Sequence, residues 1–389
     1  MVQSMPDASP TKWHLAHTTW FFETFVLAPV VAHHAPADES YGFLFNSYYE
    51  GVGPRVERGR RGQLSRPSLA EVHAYRRRVD DAVEGWLAGL NGDSQDRAGL
   101  ATLELGLHHE QQHQELLLTD VKHALGLQPG RPAYRTDLPR APMATPSSPT
   151  AVAGPRFRAF DEGVVSVGHD GGGFAFDNEG PRHRTFLHAF ELAERPVTCR
   201  EYLAFVADEG YARAELWLSE GWRHVQQDGW RAPLYWERRD GDWVTYTLGG
   251  MREIRLDEPV THVSHFEADA FARWAGARLP TEEEWERAAA EGPVTGHFAD
   301  SDRFHPGPAT TGMFGDVWQW TASAYGPYPG FRPPAGALGE YNGKFMSSQM
   351  VLRGGSCLTP ADHVRATYRN FFPPDARWQM SGIRLARDA

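Results

Sequence analysis

The chain has 389 residues, 41% of them hydrophobic, with 39 Lys and Arg against 50 Asp and Glu, a formal charge of −11. This length exceeds one ordinary core and predicts two domains. An acidic balance with no long basic block excludes nucleic acid and an anionic membrane surface as main partners. No run of eighteen apolar residues is present, so no membrane span is expected. The opening MVQSMPDASPTKW lacks the basic and apolar regions of a secretory signal, and a cytoplasmic location is expected. Two cysteines, Cys199 and Cys357, cannot build a disulfide framework; two buried free thiols are expected, with a single bridge as the alternative. The 13 Trp, 13 Tyr and 21 Phe point to buried aromatic clusters or a small-molecule pocket.

Helical periodicity dominates the first third of the chain, at 9–27, 68–90 and 100–125. Ser68 and Glu71 have the spacing of a capping box, which satisfies the free N–H groups at a helix start. Long amphipathic helices joined by short loops predict a bundle whose inward side chains can hold a metal. Between them, YGFLFNSYYEGVGPRVERGRRG (41–62) is a long connection rich in Gly and aromatics, a texture more often functional than idle. Its RGRRG end, 58–62, reads as a solvated loop.

The HHEQQHQE stretch, His108 to Glu115, is the strongest chemical signal. His109 and His113 are four residues apart in an uninterrupted helical pattern, so they project from one face one turn apart and can grip one divalent ion. His108 points about 100° away around the helix. A second pair, His14 and His17 in TKWHLAHTTWFFE, lies on another apolar helical stretch and can supply a third ligand. HExxH alone also fits a zinc peptidase with Glu110 as general base, or two histidines on a helix surface.

RPAYRTDLPRAPMATPSSPTAVAGPR, 131–156, is rich in Pro, Ser, Thr and Ala and reads as an extended linker between a domain at 1–130 and one at 157–389. Beyond it, Gly, Trp and short β-like runs prevail, with helices expected only at 199–209, 264–275 and 281–290. The fold class is therefore α+β.

The second half resembles the formylglycine-generating/sulfatase-modifying fold, related to C-type lectins. It carries, in order, FDEGVVSVGHDGGGFAFDNEGPRHRTFLHAFELAERPVTCREYLAFVADEGY, EPVTHVSHFEADAFARWAGARLPTEEEWERAA, GDVWQWTAS, VLRGGS and SGIRLARD. The first half resembles a DinB-like helical bundle, with HLAH early and HEQQH later. The fusion resembles the EgtB-like sulfoxide synthases of ergothioneine biosynthesis, most closely in SPTKWHLAHTTWFFETFVL, LFNSYYEGVGPR and LGLHHEQQHQELLLTD. Members of that family usually carry some tens of residues before the SMPDASPTKW stretch. ATYRNFFPPDARWQM lacks the cysteine pair of formylglycine-generating enzymes, so that activity is not expected.

The resemblance implies a non-haem Fe(II) enzyme that joins the sulfur of cysteine or γ-glutamylcysteine to C2 of hercynine with O2. Ovothiol-type synthesis and a selenium donor are alternatives on the same scaffold. It assigns His17, His109 and His113 to the metal and places His14 behind them or on the surface. Three neutral imidazoles leave open positions in an octahedral field, which suits O2 chemistry better than a closed zinc site. Tyr48 and Tyr49 resemble the proton-donating tyrosines of the cysteine-using branch, and they are preferred here. Tyr325 and Tyr328 match a tyrosine pair of the γ-glutamylcysteine-using branch. Gln112 resembles a residue that bonds the substrate imidazole, and Asn370 opens a substrate-binding segment. Phe371 and Phe372 are candidates for facing the trimethylammonium group, and Arg55 and Arg377 for pairing with substrate carboxylates. The resemblance sets the site between the two modules. A different class of reading keeps a metal-binding DinB-like bundle beside a lectin-like module without oxygenase activity.

Overall fold

The computed structural model describes residues 2–139 and 154–389. The chain divides into two compact units, 1–127 with 332–343 and 128–331 with 344–389. The first unit is thus discontinuous, which differs from the simple division expected from composition. Residues 140–153 of the expected linker lie outside the described residues. Its beginning is no free tether: Tyr134 N–H donates to Leu248 O at 2.8 Å and Tyr246 OH to Pro132 O at 2.7 Å, within the second unit.

Three helices frame the first unit. The first helix, Thr11–Phe21, continues into a π-helical turn, Phe22–Leu27. Leu69–Ala88 starts at the Ser68 capping box: Ser68 Oγ accepts from Glu71 N–H at 3.3 Å and Glu71 Oε2 from Ser68 N–H at 2.6 Å. Ser94–Gly126, the motif helix, starts at Asp93, whose carboxylate accepts from Asp96 N–H. It begins six residues earlier than periodicity placed it, because polar residues fill its exposed first turns. Mid-helix Gly106 is explained by packing: a Cβ there would lie 2.5 Å from Phe22 Cε1, so its absence lets the π turn approach the motif helix. Trp13, Trp20, Phe21 and Val26 close the core between them.

The connection after residue 41 is more ordered than expected. Tyr41–Phe45 is helical and Arg58–Gln63 is a 3-10 turn. Arg61 is no solvated residue. It is 4% exposed, donates to Ser9 Oγ at 3.0 Å and lies 3.5 Å over the Trp13 ring.

The second unit is built on short strands. Its four-stranded sheet runs Asn370–Phe372, Met350–Arg353, Trp318–Ala324, Ser381–Gly382, the last pair parallel and the others antiparallel. A three-stranded sheet sets Phe190–Ala193 between Phe157–Phe160 and Ala386–Asp388. The helices Cys199–Ala207, His265–Trp274 and Glu282–Ala289 each begin in a capping box, at Thr198, Ser264 and Thr281. A fourth helix, Ser219–Gln227, was not expected from the sequence. Fully buried Arg353 pairs with Glu282 and Glu286, and buried Arg369 also pairs with Glu282. Cys199 and Cys357 are buried and form no disulfide. Among the described residues, no helix is long and apolar enough to cross a membrane.

Candidate metal centre

The first helix presents His17 and the motif helix presents His109 and His113. One ring nitrogen from each lies within 4.8 Å of the others. His17 is fully buried and His109 is 2% exposed. Their Nε2 atoms stand 3.2 Å apart.

Hydrogen bonds behind the cluster fix which nitrogens face inward. His17 Nδ1 donates to Phe45 O at 2.6 Å, leaving its Nε2 as an acceptor on the side of His109. His14 Nε2 lies 3.0 Å from Asp120 Oδ2, which also accepts from Ser9 N–H at 2.7 Å. A carboxylate only accepts, so His14 carries its proton on Nε2 and its Nδ1 is an acceptor. That Nδ1 is 2.8 Å from His113 Nδ1, which must then donate and leave His113 Nε2 bare. His109 Nδ1 is buried without a hydrogen-bond partner. Three neutral imidazoles whose ligand atoms lie within 4.8 Å of one another, two of them held from behind by hydrogen bonds, form a donor set that fits a metal.

Burial also keeps the rings neutral, the form in which imidazole ligates. It pushes His109 down to about 3, and His17 and His113 well below the ordinary value. The adjoining histidines add repulsion against any proton. Stacking fixes the His17 ring from the side, with Trp13 parallel at 4.6 Å. Glu110 turns elsewhere: Arg76 of Leu69–Ala88 holds its carboxylate at 3.0 Å, and Arg76 also pairs with Asp80 at 2.8 Å. A peptidase needs that glutamate free beside the metal, so the HExxH resemblance to peptidases stops at the ligands. His108 is outside the cluster.

Two tyrosines of the 41–62 connection are linked to this centre through intervening rings, with Trp20 next to both Tyr49 and His17 and Tyr341 next to both Tyr48 and His109. Tyr49 is fully buried, with its ring 5.9 Å from Trp20 and 4.8 Å from Phe25. Burial, followed by the neighbouring Tyr48 and Tyr341, raises its hydroxyl well above the phenol range, so it keeps its proton. Tyr48 OH is 3.5 Å from Tyr49 OH. Tyr341 was missed in the sequence. Its ring centroid is 5.6 Å from that of His109 and 6.3 Å from that of Tyr48, and its hydroxyl donates to Gln112 Oε1. No spacing rule ties residue 341 to residue 112. Asp120 and Trp13 were legible in retrospect: Asp120 lies seven residues beyond His113 and Trp13 four before His17, each on its histidine's helix face.

The remaining candidates are distributed as follows. Arg55 is part-exposed and pairs with Glu50. In the second unit, Tyr325 OH accepts from Asn178 Nδ2 at 2.9 Å, and its ring stacks on Phe371 at 4.0 Å. Tyr328 OH accepts from Arg353 at 2.9 Å and donates to Glu282 at 3.3 Å, which makes it part of the buried ion cluster. Asn370 Oδ1 accepts from Phe371 N–H, while Phe372 is half-buried with its ring 6.1 Å from Trp378. Arg377 Nη2 donates to Glu267 at 2.7 Å and to Ala232 O, and its guanidinium lies 4.3 Å from the Trp230 ring centroid.

Comparison with known proteins adds lineage to this geometry. The sulfatase-modifying factor enzyme 1-like domain family matches residues 150–312 and 310–389, and the DinB superfamily matches residues 2–117. The chain is similar to a hercynine oxygenase of Mycobacterium tuberculosis, 33% identical over 98% of this chain and 92% of the relative. A hercynine oxygenase of Mycolicibacterium smegmatis is 35% identical over 73% of this chain and 71% of its own. A formylglycine-generating enzyme of Streptomyces coelicolor is 30% identical over 56% of this chain and 84% of its own.

Proposed function

The chain belongs to the hercynine oxygenase family, and from that premise we propose that it is an O2-dependent sulfoxide synthase acting on hercynine. The reaction joins the sulfur of cysteine, or of γ-glutamylcysteine, to C2 of hercynine and oxidises that sulfur to the sulfoxide. The C2–H and S–H bonds are lost with two electrons and sulfoxide formation removes two more. O2 accepts all four, one oxygen entering the sulfoxide and the other leaving as water. Cysteine is the preferred thiol, supported by the YYEGVGPR wording of the loop.

The observation that carries this reading is the inward-facing imidazole set of His17, His109 and His113 in a chain aligned almost end to end with hercynine oxygenases. These three would hold Fe(II), which when bound supplies the redox chemistry that O2 needs and open positions for substrates. The protein's part is to orient substrates, exclude water and deliver a proton. Gln112, whose Oε1 accepts from Tyr341, would orient the hercynine imidazole by a hydrogen bond. Tyr49, or Tyr48 beside it, holds the proton delivered to oxygen. Arg55 can exchange Glu50 for a substrate carboxylate, since exposed pairs are held by only about 0–1 kcal/mol. Phe371 and Phe372 remain the candidates for the trimethylammonium group, and Asn370 for a polar substrate contact.

Anaerobic reconstitution with Fe(II), followed by O2 uptake with hercynine and each thiol, tests the proposal. Uptake that requires both organic substrates and yields the sulfoxide by mass spectrometry is expected. Uptake indifferent to hercynine would refute it.

A further inference from the structure

We propose that Glu340 is a positioning residue that holds the loop of Tyr48 and Tyr49 in place. Residues 332–343 fold with the helical unit although their chain neighbours on both sides belong to the other one. At the end of a 3-10 turn, Ala337–Glu340, the Glu340 carboxylate receives two consecutive backbone amides. Glu50 N–H donates to Oε2 at 2.9 Å and Gly51 N–H to Oε1 at 2.7 Å. Two adjacent N–H groups pointing one way form a concave anion site, and a carboxylate matches it with one oxygen per amide.

The same loop is braced from within by Asn46, which is fully buried. Tyr49 N–H donates to Asn46 Oδ1 at 2.9 Å, and Asn46 Nδ2 donates to Tyr49 O at 2.9 Å and Gly53 O at 3.2 Å. Asn46 therefore fixes one side of the tyrosine pair and Glu340 fixes the residues directly after it. Packing agrees with the clamp. A Cβ on Gly51 would stand 3.1 Å from Glu340 Oε1 and 3.4 Å from Ala337 Cβ, so a glycine lets the carboxylate close. The turn itself depends on Gly339, where a Cβ would fall 1.8 Å from Pro334 O.

This role rests on the reading of Tyr48 or Tyr49 as proton donor, and the test separates the two. Hydrogen exchange reads the clamp without turnover. In Glu340→Ala, the amides of Glu50 and Gly51 should exchange roughly 10-fold to 100-fold faster, the worth of charge-assisted bonds, while the motif helix stays protected. Glu340→Gln keeps one acceptor and should release one amide. Gly51→Ala, which pushes the carboxylate away from the loop side, should loosen the same peptide, and combining it with Glu340→Ala should add little further. Sulfoxide formed per O2 consumed should fall in all three single variants, with Co(II) affinity of the histidine cluster unchanged within about twofold. Unchanged exchange at 50–51 in Glu340→Ala, or a rise spread evenly over the whole unit, overturns the clamp. If Tyr48→Phe and Tyr49→Phe both keep full coupling, the donor reading falls while the exchange result still decides the clamp.

Discussion

His14 shows how much a residue that touches no metal can decide. Its proton is fixed by Asp120, and that choice dictates which nitrogen of His113 faces the cluster. Replacing Asp120 by Asn lets His14 adopt the other tautomer, and His113 then loses its acceptor. Metal affinity should fall about 10-fold to 100-fold, measured by anaerobic Co(II) titration with the helical content of the unit checked by circular dichroism. Tyr49 is a sharper case for the reaction. Tyr49→Phe removes only the hydroxyl. If that hydroxyl supplies the proton, sulfoxide formation should slow by about 10²-fold to 10⁴-fold with Co(II) affinity unchanged. Equal loss in Tyr48→Phe alone would move the role one residue back.

At the scale of the element, the motif helix shows packing overriding propensity. At an exposed helix position a Gly→Ala change would stabilise by about 1 kcal/mol. In Gly106→Ala the new methyl meets the Phe22 ring at 2.5 Å, and overpacking of this kind costs roughly 1–3 kcal/mol. The net effect should be destabilising, read as a lowered urea midpoint, and a raised midpoint would show that the π turn can retreat freely. The π turn joins directly to the helix that bears His17, so the same variant should also weaken Co(II) binding. The capping boxes at Ser68, Thr198, Ser264 and Thr281 belong to this scale as well. Their side-chain-to-amide bonds span three residues, and such local pairs are visible before any fold is known.

For the molecule as a whole, acid stability carries a signature outside the metal centre. His265, at the start of a helix in the second unit, is 5% exposed and faces Trp320 at 5.7 Å. Burial pushes it down to about 4. The unfolded chain, with its histidine near about 6.5, binds the proton that the folded state refuses, so stability rises with pH across that window. Between pH about 6.5 and about 4, the folded protein should lose up to about 3 kcal/mol from this one group. Above that window the contribution is constant. His265→Phe should flatten the slope of the unfolding free energy by one proton in the same range, followed by urea titrations at successive pH values.

Two kinds of information separate in this chain. The pairing of His109 with His113 and the helix start at Ser68 were readable from sequence alone, because helix geometry sets local spacings of three and four residues without help from the rest of the chain. Resemblance added His17. Tertiary structure alone decided that Glu110 is spent on Arg76, that Arg61 lies buried over Trp13, and that Arg377 pairs with Glu267. It alone brought Tyr341 beside Gln112 and Glu340 onto the loop of Tyr48 and Tyr49, across separations of 229 and 290 residues. Hydrogen bonds at such range depend on where folding closes the chain upon itself, and no local spacing carries that instruction.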